Sequence, residues 1–147
     1  MSQTGAGALI VGAGHAGGSA AAMLRQSGYA DPITIVGDEP IAPYQRPPLS
    51  KAWLKGEADA EALMLRPLSY YTENAIELIL GVKAIAIDRA GKRVELADGK
   101  RLAYDKLIIA TGSRARLLQL PGADLKGVLF LRSAADAEVL KAALGPG

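Results

Sequence analysis

Apolar residues in this chain cluster in short runs whose rhythm changes along its length. Ala8-Leu9-Ile10-Val11 reads as a short buried strand, and Ile33-Thr34-Ile35-Val36 as a β-branched second one, which predicts strands over 8–12 and 33–37. The small-residue stretch between them, Ser19 to Gln26, predicts a helix over 16–28. Four prolines follow between Pro40 and Ser50, namely Pro40, Pro43, Pro47 and Pro48. Each fixes φ and lacks an N–H, so that loop should be rigid and extended. A short helix is expected from Ser50 to Lys55 with Ser50 as its N-cap, then a helix from Leu68 to Asn74 and a strand from Ile76 to Leu80.

The period then becomes two. Lys83 to Asp88, Arg93 to Leu96 and Arg101 to Ala103 alternate apolar and polar residues, with turns at Gly91 and Asp98-Gly99. That pattern predicts an antiparallel hairpin or three-stranded meander with one face in water. Asp105 to Ala110, containing Leu107-Ile108-Ile109, is expected as a fully buried strand ending at Thr111-Gly112. Val128 to Leu131 predicts a last short strand, and Ser133 to Leu144 a closing helix whose first turn suits Ser133 and Asp136. The expected fold class is α/β: a three-layer Rossmann-like unit with a parallel sheet, helices on one face and a small antiparallel β-meander on the other.

The first strand runs into Gly12-Ala13-Gly14-His15-Ala16-Gly17-Gly18. This is G-x-G-x-x-G in the setting it requires, between a strand and a helix N-terminus. Gly12 permits the sharp turn, Gly14 lets the backbone approach a pyrophosphate, and Gly17 lets the helix lie close to the strand. The open N–H groups and positive dipole end of that helix would face phosphates. Gly37-Asp38-Glu39 closes the second strand, where a carboxylate is placed to accept hydrogen bonds from ribose hydroxyls. The whole unit predicts an adenine-dinucleotide site. The meander used as a crossover, with a late strand ending in Ala110-Thr111-Gly112, points to FAD rather than NAD.

Composition narrows the class. The 147 residues are 50% hydrophobic, enough for a proper core in one domain or one piece of a larger one. A net charge of +2 is too small to argue for nucleic acid or an anionic membrane surface. No apolar run approaches the ~18 residues that span a bilayer. The Ala-rich N-terminus lacks the basic residues of a secretion signal, so a cytoplasmic protein is expected. The chain has no cysteine, which removes disulfide scaffolds, thiolate metal sites and a flavin-side cysteine pair.

Further segments carry a resemblance: Ile35-Val36-Gly37-Asp38-Glu39, Pro43-Tyr44-Gln45-Arg46-Pro47-Pro48-Leu49-Ser50-Lys51, Ala110-Thr111-Gly112-Ser113-Arg114 and Phe130-Leu131-Arg132-Ser133. With the glycine fingerprint, they make the chain from Leu9 onward resemble the N-terminal part of the FAD-dependent ferredoxin and rubredoxin reductases, the putidaredoxin reductase-like family of the pyridine nucleotide-disulfide oxidoreductase fold. The Arg-Pro-Pro-Leu-Ser-Lys stretch is the diagnostic one. A departure is Ala115, where the family usually carries a proline after the arginine; it should loosen a loop and leave the chemistry alone.

The resemblance implies roles for named residues. Gly12, Gly14, Ala16 and Gly17 would serve the FAD pyrophosphate, with backbone N–H groups from Gly14, Ala16 and Gly17. Asp38 would hold the adenosine ribose, and Arg46 would offer a planar cation to phosphate or adenosine. Lys51 would lie near flavin N5 and carry the catalytic role of stabilising negative charge on the reduced ring. Ala84 would meet the adenine through its backbone, Thr111 and Gly112 would lie near the cofactor, and Arg132 would contact FAD. Other readings stand beside these: Arg46 as a surface arginine, Lys51 as a solvated lysine, Arg132 as a strand cap. His15, the only histidine, reads as structural, and Tyr44 and Trp53 as packing for the Pro-rich loop. Lys100, Arg101, Lys106, Arg114 and Arg116 read as a solvated face or as a surface for an acidic ferredoxin.

The implied activity is transfer of electrons from NADH or NADPH through FAD to a ferredoxin or rubredoxin. Alternatives on the same fold are an NADH oxidase or the flavin module of a nitrite reductase; a non-catalytic nucleotide-binding interaction module is the alternative of another class. In the family, a nicotinamide-nucleotide unit, a second FAD segment and an interface domain follow beyond the region matched by 1–147. The chain is therefore expected to be a first FAD-binding segment, dependent on the rest of its polypeptide, that binds FAD weakly or not at all alone and does not oxidise NADH.

Overall fold

A computed structural model describes residues 6–145. Pro146 and Gly147, at the expected border with a second nucleotide unit, lie outside the described residues. The chain divides into two compact units: one comprises the chain up to Tyr44 and Met64–Gly112, the other Gln45–Leu63 and the chain from Ser113 onward.

The first unit is built on a parallel sheet. Strands β1 (Ala8–Val11), β2 (Ile33–Val36), β3 (Ile76–Ile79) and β7 (Lys106–Ile109) stand in the order β3-β2-β1-β7. Helix α1 (His15–Gln26) makes the crossover from β1 to β2, and α3 (Leu68–Glu73) leads into β3. Side chains alternate between the faces of the sheet. Ala8, Ile10, Ile33 and Ile35 pack with Ala21 of α1 and Tyr71 of α3. Leu9, Val11 and Val36 face the other way and pack with Val94, Leu96 and Tyr104. Those last residues belong to or adjoin an antiparallel meander of β4 (Ala84–Asp88), β5 (Arg93–Leu96) and β6 (Arg101–Ala103). The apolar runs of β1 and β2 are therefore consumed from both sides, at about 1.5–3 kcal/mol per buried large side chain. Three layers, helices on one face and a meander on the other, are present as expected.

Arg25 closes α1. Its Nε donates to the Asn74 carbonyl (2.7 Å), and its terminal nitrogens donate to the carbonyls of Tyr29 (2.6 Å), Asp31 (2.8 Å) and Ala75 (2.8 Å). One cation in the last turn thus ties the helix C-terminus to the turn before β3 and to the approach to β2.

In the second unit, Pro47–Ser50 forms a 3₁₀ turn and α4 (Ala134–Leu144) packs against it. A single helical turn, α2 (Ala60–Leu63), precedes the return to the first unit; the Asp59 carboxylate accepts from the Ala62 N–H (2.8 Å). Helix α4 opens with a full capping box. The Ser133 Oγ accepts from the Asp136 N–H (3.2 Å), and the Asp136 carboxylate accepts from the Ser133 N–H (2.7 Å).

Three expectations are corrected. The helix expected over Ser50–Lys55 is replaced by the earlier 3₁₀ turn, because Pro47 and Pro48 preset φ for its first positions and Lys51 then departs to φ −130°, ψ −107°. Hydrogen-bonded turns carry the chain from there to Glu57. Val128–Leu131 is no strand: the Val128 N–H closes a turn on the Leu125 carbonyl, and an apolar run without a ladder partner stays irregular. Strand β7 is shorter than Asp105–Ala110 and is not fully buried, since it pairs only with β1 and leaves Ile109 63% exposed.

Candidate dinucleotide-binding site

Register brings three loops to one edge of the parallel sheet. Val11 stands opposite Val36 on one side and Ile109 on the other, so Gly12, Gly37-Asp38 and Ala110-Thr111 all emerge at the carboxyl ends of neighbouring strands. Ladder bonds continue into them: Gly12 N–H to Val36 carbonyl (2.8 Å), Ala110 N–H to Val11 carbonyl (2.7 Å), Gly37 N–H to Ile79 carbonyl (2.9 Å). In open α/β sheets this edge is where ligands bind.

The glycines there are not equivalent. Gly12 has φ +119°, and a side chain on it would collide with the Ala110 carbonyl. A Cβ on Gly17 would overlap the Gly12 carbonyl oxygen, so this position sets the close approach of α1 to the loop. A Cβ on Gly37 would overlap that of Ala13. Gly14 differs: a Cβ there meets nothing within 4 Å, and its φ of −90° suits any residue. Packing among the described residues therefore does not require glycine at position 14. The space it leaves is open to the outside, above the start of α1.

That start is uncapped by any side chain and has no acidic residue in its first turn. The first intrahelical bond runs from the Gly18 N–H to the Gly14 carbonyl (3.0 Å), so the N–H groups of His15, Ala16 and Gly17 precede the ladder. His15 and Ala16 are exposed. Donors, dipole and open space suit the pyrophosphate of a dinucleotide.

Asp38 is exposed beside this loop, between two anchored neighbours. The Val82 N–H donates to the Gly37 carbonyl (3.1 Å), and the Gly81 N–H to the Glu39 carbonyl (3.1 Å). These bonds also tie the start of β4, with the half-buried Ala84, to the end of β2. Thr111 lies against Gly12, its nitrogen 3.0 Å from where a Gly12 Cβ would stand, and Gly112 follows with φ +71°. Gly12, Gly14, Ala16, Gly17, Asp38, Ala84, Thr111 and Gly112 all belong to the first unit.

Arg46, Lys51 and Arg132 belong to the second. Arg46 donates a terminal N–H to the Arg132 carbonyl, and the Arg132 Nε donates to the Ser113 carbonyl (3.1 Å). The Asp136 carboxylate also accepts from the Arg132 N–H (3.0 Å). Burial works to raise the Asp136 carboxyl pKa, but hydrogen bonds from the Ser133 backbone and hydroxyl and from the Arg132 backbone, with the Arg46 charge, hold it below the usual aspartate value. The two arginines therefore share one cluster around the α4 cap. Lys51 ends the 3₁₀ turn with its side chain exposed.

Gly37 and Arg25 carry structural weight that the sequence pattern did not single out. A small residue at the end of β2 was the available signal for Gly37, whereas nothing local marks Arg25, whose partners lie as far as Ala75. Tyr44 is buried, and Trp53 packs under Lys141, whose ammonium is 5.7 Å from the ring centroid. Lys100 and Arg101 pair with Asp98 (3.2 Å) and Glu95 (3.3 Å) of their own meander, as on a solvated face. Among the described residues there is no cluster able to hold a metal ion, and no helix long and apolar enough to cross a membrane.

The family described as pyridine nucleotide-disulphide oxidoreductase matches residues 7–147. The chain belongs to it. The probable ferredoxin reductase of Castellaniella defragrans is 53% identical over 95% of this chain and 34% of its own length. The rubredoxin-NAD(+) reductase of Pseudomonas putida is 48% identical over 90% of this chain and 34% of its own. Among solved structures, a ferredoxin reductase from Rhodopseudomonas palustris superposes with a TM-score of 0.86 at 46% identity, covering 92% of this chain and 33% of that one. The chain thus spans about a third of the length of the relatives it matches.

Proposed function

We propose that this chain is the first FAD-binding segment of a cytoplasmic, FAD-dependent NAD(P)H reductase that delivers electrons to a ferredoxin- or rubredoxin-type iron–sulfur protein. The observation that carries the reading is Gly14, a glycine that no neighbour among the described residues requires, at an uncapped helix N-terminus. The names of the similar reductases support the acceptor class. Their greater length leaves room in further polypeptide for the nicotinamide site and the contact with the acceptor.

The chemistry that a bound flavin supplies is exchange between two-electron and one-electron transfer. This chain's residues would bind and orient. The N–H groups at the start of α1, with Gly12, Gly14, Ala16 and Gly17, would hold the pyrophosphate. Asp38 would accept from the ribose hydroxyls, Ala84 would meet the adenine through its backbone, and Thr111 and Gly112 would line the loop edge. Arg46 and Arg132 would place positive charge toward the cofactor. Lys51 would hold an ammonium against the flavin ring, where developing negative charge is stabilised.

The test is NAD(P)H-dependent reduction of an artificial acceptor by the full-length polypeptide. Asp38→Ala should weaken FAD binding, whereas Lys51→Ala should keep FAD and lose turnover by at least about tenfold. Undiminished turnover in both variants would overturn the residue assignments.

A further inference from the structure

The loop between β2 and the second unit is braced by a contact that neither the glycine fingerprint nor the cofactor roles use. The Tyr44 hydroxyl donates to the Glu39 carboxylate (2.6 Å). Tyr44 is among the largest fully buried side chains, 1% exposed, and Glu39 is half-buried. An O–H donated to a carboxylate is among the stronger protein hydrogen bonds, more so when partly withdrawn from water. Its acceptor directly follows Asp38.

The same loop is pinned by further contacts. Tyr44 forms a bridge with Met64, and the Leu65 N–H donates to the Pro43 carbonyl (3.0 Å). Pro43 lies on α1 so closely that a Cβ on Gly18 would come within 2.7 Å of its ring carbon, which explains a glycine beyond the fingerprint. The Glu39 carbonyl is held in turn by the Gly81 N–H. The chain leaving Asp38 is therefore looped back onto the helix that offers its N-terminus to phosphate.

We propose that Tyr44 and Glu39 form a positioning clamp that holds the exposed Asp38 carboxylate in place for the adenosine ribose. The inference rests on the dinucleotide reading given above and adds two residues to it. Neither residue touches the ligand in this account. Tyr44 acts through Glu39, and Glu39 through the backbone it shares with Asp38.

The test is titration of FAD into the full-length apoprotein, read by quenching of flavin fluorescence. Asp38→Ala should weaken binding about thirtyfold and Tyr44→Phe about tenfold, the range of one charge-assisted hydrogen bond. Glu39→Gln, which keeps an acceptor for the hydroxyl, should bind better than Glu39→Ala. The decisive variant is the double one: Asp38→Ala with Tyr44→Phe should bind no more weakly than Asp38→Ala alone. Multiplied losses would make Tyr44 merely structural and overturn the clamp. Wild-type affinity in Tyr44→Phe, beside a weakened Asp38→Ala, would overturn the clamp and leave the ribose role standing. Wild-type affinity in Asp38→Ala would overturn the ribose role itself, and the clamp with it.

Discussion

The phosphate loop of the first unit and the arginine cluster of the second reach their geometry by different means. Around Gly12, Gly17 and Gly37 the decisive contacts are backbone against backbone or against Ala13, at positions that admit no side chain. Around Arg46 and Arg132 the decisive contacts are side chains donating to carbonyls far along the chain, Arg46 to Arg132 and Arg132 to Ser113. The first region is specified by what is missing, the second by what long side chains reach. A site of the first kind should break abruptly on substitution. One of the second kind should weaken by increments.

The largest expected effect lies within the glycines themselves. Gly17→Ala puts a methyl group onto the Gly12 carbonyl, and should cost about 3 kcal/mol or more or prevent folding. Gly14→Ala, three residues away with open space around it, should stay within about 0.5 kcal/mol of wild type. Denaturant melts of the two apoproteins make the comparison; equal losses would abolish the distinction between a packing glycine and a ligand-facing one.

Next comes Arg25→Met, which keeps the stem and removes hydrogen bonds to four carbonyls. A loss of about 2 kcal/mol is expected. Thermal melts should show it, with no change in residues that face the proposed ligand. An unchanged melting temperature would mean that those carbonyls are equally well served by water.

The pattern of apolar residues made the first region readable and the second only in part. Strands β1 and β2, the loop between β1 and α1, and the meander are local features, each written in one contiguous stretch of sequence. The side-chain alternation that sends Ile10 to the helices and Leu9 to the meander follows from period two alone. The capping box of α4 was readable for the same reason, since Ser133 and Asp136 are three residues apart. By contrast, Leu107-Ile108-Ile109 reads as fully buried, yet burial of an edge strand depends on neighbours that no local pattern reports. Val128–Leu131 has the composition of a strand without a partner, and Ser50 reads as a helix start only while Pro47 and Pro48 are read as extended, whereas two adjacent prolines also suit the first positions of a 3₁₀ turn. The Arg46–Arg132 contact spans 86 positions, and short-range rules do not reach that far.

The smallest effects should come from the α4 cap. Asp136→Asn should cost about 1 kcal/mol near neutral pH by weakening a cap and removing a charge. The sign with pH follows from the lowered Asp136 pKa. Its stabilisation is complete above the ordinary carboxylate value of about 3.9 and is lost as pH falls through the lower folded value. The gap between wild type and Asp136→Asn should therefore narrow in acid. A gap that is constant with pH would mean that the ionised carboxylate contributes no more than its neutral amide counterpart.

The opening at Gly14, on this reading of the site, exists for a dinucleotide. Titrating FAD into full-length apoprotein carrying Gly14→Val tests it most directly, since valine fits the backbone there and fills the open space. The unfolding midpoint should stay close to wild type while FAD affinity falls by at least about a hundredfold, the loss expected when a side chain occupies a phosphate site. Wild-type affinity in that variant would contradict it.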